Sequence, residues 1–308
     1  MSGIRSSLSV CIFANAGTVP LEIAARRGFF AEEGLSVEIV STPSSVHQMT
    51  GLVEGRYDIA ATAVDNVVAY AEGVSPVEGL APVDLVVFLG SATYRLPFVV
   101  RPEVGGFAEL RGKTIAVDAL STGFAFLLRG MLDDNGLPPG SYDFQSFGAP
   151  QQRWEAIRDG KAVAALLNDH FAAIAREDGF HVLESEPDPW AGYQGNAFCV
   201  RRDRFDVDPE TIGAFSRAFL RGVAATLDPA NRHEVADALV AHLPGLTAER
   251  AGGVAAALQA PGSIISPDMP VSVSGLAKVL DLRSRYGDVS LPTDPRKYLD
   301  LRFGTEIA

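Results

Sequence analysis

One pattern occurs twice in this chain, as Leu52-Val53-Glu54-Gly55-Arg56-Tyr57-Asp58-Ile59-Ala60 and as Ile157-Arg158-Asp159-Gly160-Lys161-Ala162-Val163-Ala164-Ala165. In each copy an amphipathic helix ends at Gly, a charged residue follows and a short apolar strand begins. Glycine at that point permits the left-handed turn that closes a helix. The strand after it is apolar enough to lie inside a parallel sheet. Two such units predict two α/β lobes of the same build, and a chain of two like lobes is expected to hold its ligand in the cleft between them.

Length and charge bound the reading further. At 308 residues and 47% apolar, the chain can bury two sizeable cores. A net charge of −12, with no Lys/Arg-rich run, argues against nucleic acid and anionic membrane surfaces as partners. No stretch reaches membrane-spanning length. The only cysteines, Cys11 and Cys199, sit in apolar strand-like runs and support neither a metal motif nor a disulfide framework. Buried, inert thiols are expected, with a single bridge between them left open. No cofactor is expected, because there is no Gly-rich nucleotide loop, no G-x-S-x-G elbow, no Cys–His pair and no paired-His metal spacing. Met1 to Phe13 lacks a separate hydrophobic segment with a small-residue cleavage site, so it does not read as a signal peptide. The expected location is therefore the periplasm or cell envelope if an export signal has been trimmed, and the cytoplasm if Met1 is the native start.

Strands alternate with helices along the chain at the spacing of βαβ units. Strands are predicted at Ser9–Phe13, Ser36–Val40, Ile59–Thr62 and Leu85–Leu89, with helices from Pro20, Val46 and Val64 between them. Pro97–Arg101 leaves the first lobe. Thr114–Val117, a helix from Ser121 to Asn135, a Gln151–Arg158 helix, Val163–Leu167 and His181–Leu183 build the second. Gly192–Arg201 returns, and the remainder is largely helical. The expected architecture is two doubly wound lobes joined by a two-stranded hinge, with a helical C-terminal portion. The expected domains are a discontinuous first lobe of residues 1–98 and 197–308 and a second lobe of residues 99–196.

Pro20-Leu21-Glu22-Ile23-Ala24, Gly28-Phe29-Phe30 and Glu33-Gly34-Leu35-Ser36-Val37 resemble the opening of bacterial solute-binding proteins. Leu110-Arg111-Gly112-Lys113-Thr114-Ile115-Ala116-Val117 resembles their entry into the second lobe, and Asn135-Gly136-Leu137 fits as well. Together these resemble the type 2 periplasmic binding fold, in the group of sulfonate, nitrate and taurine binders and thiamine-pyrimidine-precursor binders. The resemblance implies capture of a small organic anion or nitrogen heterocycle and delivery to an ABC permease. Cytoplasmic enzymes also belong to this group. The chain departs from the pyrimidine synthases in lacking their cysteine-rich motif. It departs from the aromatic desulfinases in carrying Ala16 where the loop after strand one holds their nucleophilic Cys, although His47 sits where a desulfinase-like histidine would lie.

In parallel α/β lobes ligands meet the carboxyl ends of the strands. That rule names the loops Ala14–Thr18, Ser41–His47, Ala63–Asn66, Ala119–Gly123 and Asn168–His170. Asn15 and Thr18 lie on the first. Ser44 and Ser45, and Ser121, Thr122 and Gly123, open helices where hydroxyls and free N–H groups suit an anion, although each Ser or Thr would equally serve as a helix cap. Asp65 and Asn66 end one copy of the repeat, and Asn168 and His170 end the other. Asp65 favours an amine, amide or heterocyclic N–H partner. Tyr94 and Phe124 are the aromatic candidates, weighed against ordinary core packing. His47 and His170 are the histidines on these loops. In the rival reading, a decarboxylase or C–S lyase on the same fold, one of them acts as acid or base.

Overall fold

The computed structural model describes residues 6–93, 95–243 and 245–307. Among the described residues ten strands build two five-stranded sheets, β1 (Ser6–Ile12), β2 (Leu35–Ser41), β3 (Ile59–Ala63), β4 (Leu85–Gly90), β5 (Phe98–Val100), β6 (Thr114–Val117), β7 (Asp143–Ser146), β8 (Ala164–Leu166), β9 (His181–Val182) and β10 (Asn196–Arg201), and two short strands, Val271–Ser272 and Glu306–Ile307, pair in a third. The chain divides into two compact units. The first comprises residues 1–94, 194–277 and 294–308, and the second comprises residues 95–193 and 278–293.

The first unit carries a sheet of order β2-β1-β3-β10-β4, and the second a sheet of order β7-β6-β8-β5-β9. The two are the same design. β1 pairs in parallel with β2 and β3, as β6 does with β7 and β8. One antiparallel strand, β10 or β5, then joins the parallel set to the last strand. The sheets are therefore mixed, and the antiparallel member in each is far along the chain from the strands it pairs with.

Helices cover both faces, as strands buried on two sides require. In the second unit Phe98, Val100, Ile115 and Val117 pack with Leu128 and Leu132 on one face. Their alternating neighbours Val99, Ala116 and Ala165 pack with Trp154, Ile157 and Ala172 on the other. In the first unit Val10, Ile12, Phe88 and Phe198 share a core with Phe215, Phe219 and Val223 of the helix Pro209–Leu227.

The repeat lies where it is expected. Each copy is a helix, Ser45–Val53 or Pro150–Arg158, feeding β3 or β8. The glycines that close the helices, Gly55 and Gly160, have φ of 78° and 76°. An arginine at the end of each antiparallel strand secures that turn. Arg201 Nη1 donates to Val53 O at 3.1 Å, and Arg101 Nη1 donates to Ile157 O at 2.6 Å. Each guanidinium is held by a carboxylate two residues on, Asp203 or Glu103.

Residues 278–293, which the sequence reading leaves in the first lobe, group with the second unit. The reason is packing at the end of the helix Val273–Tyr286: Leu282 and Tyr286 lie against Phe126 and Leu127, and Tyr286 Oη donates to Asp133 Oδ2 at 2.8 Å. Asp169 and His170 are not loop residues, as the sequence reading has them, but begin the helix Asp169–Glu177 behind Asn168. Cys11 and Cys199 are buried free thiols on strands that both pair with Ala60 of β3. Two strand spacings place them about 9.5 Å apart, beyond disulfide reach.

Candidate functional site

In each unit the parallel strands end at one edge, where three loops lead into helices. In the first unit that edge begins with Asn15, whose Oδ1 accepts from Gly17 N at 2.8 Å and whose Nδ2 donates to Phe13 O at 2.7 Å. Thr18 is buried, and its hydroxyl is committed to Asn15 O at 2.9 Å and His242 Nε2 at 2.8 Å. Both residues therefore act chiefly to fix their turn.

Burial holds the His242 imidazole below its ordinary pKa. The folded protein thus binds this proton more weakly than the unfolded chain. The associated stability is complete above the unfolded value of about 6.5 and is lost as pH falls through that value towards the folded one. The urea midpoint of the wild-type protein is expected to drop between pH 7.5 and 5 more steeply than that of His242→Gln. Parallel curves for the two proteins would show that His242 does not contribute.

Ser44 caps the helix Ser45–Val53 by accepting from His47 N at 3.2 Å, which leaves its hydroxyl hydrogen free to donate. Ser45 is half-buried beside it. His47 is exposed, with Nδ1 3.2 Å from Thr42 Oγ1. Asp65 is buried in the first turn of the helix Val64–Ala71, and Asn66 Nδ2 donates to Thr62 Oγ1 at 2.9 Å. Sequence reasoning missed Gln48. It is fully buried, and its Nε2 donates to Cys11 O at 2.8 Å and Ala61 O at 3.0 Å, tying the ends of β1 and β3 together.

In the second unit Thr122 caps the helix Gly123–Asp134. It accepts from Ala125 N at 3.2 Å and donates to Asp118 Oδ1 at 2.8 Å, so its hydroxyl is spent. The Gly123 and Phe124 N–H groups make no hydrogen bond among the described residues. Ser121 is exposed, and its carbonyl accepts from Arg283 Nη2 at 3.1 Å. The Phe124 ring lies 6.0 Å from Trp190 and packs against the core. Asn168 caps its helix by accepting from Phe171 N at 3.0 Å, leaving its amide N–H groups available. His170 is exposed, its ring 4.9 Å from Phe171. Tyr94 lies outside the described residues.

The sequence reading omits the loop between β7 and the helix Pro150–Arg158, which also ends at this edge. Its signal was available, because the first copy of the repeat marks the matching loop at Ser44. A hollow of about 380 Å³ in the second unit, lined by Arg95, Phe98, Asp169, Arg176, Glu184 and Trp190, reaches the Asn168–His170 segment through Asp169 but includes none of the expected ligand residues.

These edges present hydrogen-bonding groups. Neither His47 nor His170 pairs with a carboxylate among the described residues, so neither has the orienting partner of a general base. Burial raises the Cys11 thiol and pushes Cys199 up to about 12, away from thiolate chemistry. Among the described residues no group of three or more His, Cys, Asp or Glu is placed to hold a metal ion. No described helix is long and apolar enough to cross a membrane.

The model of the NMT1-like family matches residues 5–240. No curated protein matches the chain. Among solved structures, a periplasmic sulfonate-binding protein SsuA from Methylobacillus flagellatus superposes with a TM-score of 0.73 at 17% identity, covering 98% of this chain and 93% of that one. The alkanesulfonate-binding protein SsuA from Xanthomonas axonopodis pv. citri, bound to MOPS, gives 0.72 at 16% identity, covering 96% and 99%. The desulfurization enzyme DSZB gives 0.63 at 13% identity, covering 97% of each chain. At these identities the likeness is one of fold.

Proposed function

The chain belongs to the NMT1-like family, and from that premise we propose that it is a solute-binding protein. It captures a small organic anion or nitrogen heterocycle and delivers it to the permease of an ABC importer, acting in the periplasm or cell envelope. One observation carries the reading: both units end their parallel strands in capped helix starts whose side chains keep unused donors. Ser44, Ser45 and Ser121 retain hydroxyl hydrogens, Asn168 retains its amide N–H groups, and Gly123 and Phe124 present free backbone N–H groups. Asp65, Asn66 and His170 complete the proposed ligand residues. Reversible hydrogen bonding needs no nucleophile and no oriented base, and buried thiols held above their ordinary range are compatible with it. The fold that this chain shares with sulfonate-binding proteins over nearly its whole length supports the same reading.

The test is equilibrium dialysis against a panel of sulfonates, aromatic acids, pyrimidines and flavin precursors, read by mass spectrometry. A compound concentrated unchanged on the protein side, and retained less when Ser121 and Asn66 are both replaced by Ala, is the expected result. A compound consumed as a new mass grows would replace this reading with an enzyme and send mutagenesis to His47 and His170.

A further inference from the structure

The two copies of the repeat place different residues at one structural position. Gln48 and Arg153 each lie four residues beyond the residue preceding their helix and seven before its positive-φ glycine. Both are buried, Gln48 at 0% exposure and Arg153 at 5%. Gln48 uses its amide to tie two strand ends together. The Arg153 guanidinium makes no hydrogen bond or ion pair among the described residues, and its Nε is buried without a partner.

Its equivalence to Gln48, whose amide reaches Cys11 O of β1 and Ala61 O of β3, locates Arg153 at the carboxyl edge of the second sheet. The acidic group that acts on its charge is Asp118, the residue directly after β6. Asp118 is itself engaged: Oδ1 accepts from Thr122 and its carbonyl accepts from Ser146 Oγ at 2.8 Å. Thr122 opens the helix whose first N–H groups, on Gly123 and Phe124, are free. Burying a cation without a contact partner is unfavourable, so Arg at this position does not serve stability. A neutral amide is less costly there: Gln48 in the other copy donates to two strand carbonyls, with only its Oε1 left without a partner. A buried planar guanidinium whose Nε has no partner is instead suited to a bidentate oxyanion.

We propose that Arg153 is the oxyanion anchor of the second unit, binding the sulfonate, carboxylate or phosphate group of the ligand through its guanidinium at the carboxyl edge of the sheet. This deepens the solute-capture reading and rests on it for the rest of the ligand. It narrows the ligand to an organic anion, with a nitrogen heterocycle as its other part at most.

The experiment is equilibrium dialysis of the full chain with radiolabelled sulfate, phosphate, methanesulfonate and acetate, each against matched chloride. These probes report the anion site whether or not any organic compound is carried or turned over. The wild-type protein should retain at least one of them, and the one retained assigns the group. Arg153→Gln should weaken that binding by roughly tenfold or more. Arg153→Lys, which keeps the charge, should lose less. In chloride alone Arg153→Gln should unfold at a urea midpoint no lower than wild type, which separates loss of a site from loss of the fold. Equal retention by wild type and Arg153→Gln, or retention of none of the four anions by wild type, overturns the proposal. Arg153-dependent retention together with turnover in the organic panel would uphold the anchor and overturn solute capture.

Discussion

Phe215→Ala is expected to lower the free energy of unfolding by about 3–5 kcal/mol, the largest loss of any single truncation in the first unit. The ring is fully buried and is shared by four others: Phe30 at 5.6 Å, Phe198 at 5.7 Å, Phe88 at 6.1 Å and Phe219 at 6.2 Å between centroids. Those partners come from a short helix, two strands and the helix of Phe215 itself, so no single element can collapse into the vacancy. Each aromatic pair adds about 0.5–1.5 kcal/mol beyond burial, which pushes the loss towards the top of the range. Against a typical total of about 5–15 kcal/mol this is a large fraction. Urea denaturation followed by far-ultraviolet circular dichroism reads it directly. Both tryptophans, Trp154 and Trp190, lie in the second unit. Their fluorescence therefore reports whether that unit unfolds with the first or apart from it. A loss below about 1 kcal/mol would mean the ring is not packed as described.

Gly222→Val is expected to cost about 3 kcal/mol, at the upper end for overpacking. A Cβ at position 222 would stand 2.3 Å from Pro20 O, 2.9 Å from Ala24 Cβ and 3.2 Å from Ala24 N. Those atoms are backbone or the first carbon of a side chain, so no rotamer change relieves the clash. The helices Val19–Arg26 and Pro209–Leu227 would have to separate, and the helix Val19–Arg26 directly follows the first loop of the candidate site. Gly222→Ala should cost less, because the gain in helix propensity of about 1 kcal/mol offsets part of the strain. The same denaturation measurement checks both variants. A Val variant as stable as wild type would show that the close approach is not required.

The candidate site was legible in outline. Ser44, Thr122 and Asn168 stand at helix starts, as expected of Ser, Thr and Asn before an apolar periodic run, and the structure uses each as a cap. Capping also withdraws Thr122 as a free donor, because its hydroxyl must serve Ala125 N and Asp118 together. Gln48 and Arg153 were not legible as site residues. On a helix read alone, a Gln or Arg every few positions is an ordinary solvated residue. Only the strands that the helix covers turn that position inward.

The division between sequence and tertiary structure follows the range of the interactions. Glycine at 55 and 160, apolar runs of strand length after each, and Ser, Thr and Pro at helix starts act within a few residues. By themselves they determined two like α/β units and most element positions, among them Thr114–Val117, Pro209–Leu227 and Ala248–Leu258. Other features were decided by tertiary structure alone. These are the antiparallel insertion of β5 and β10 between parallel strands, the grouping of residues 278–293 with the second unit, and the burial of Arg153. Each depends on which distant surface a segment packs against. That choice is made by the summed burial of apolar faces across the whole chain, which no local pattern encodes.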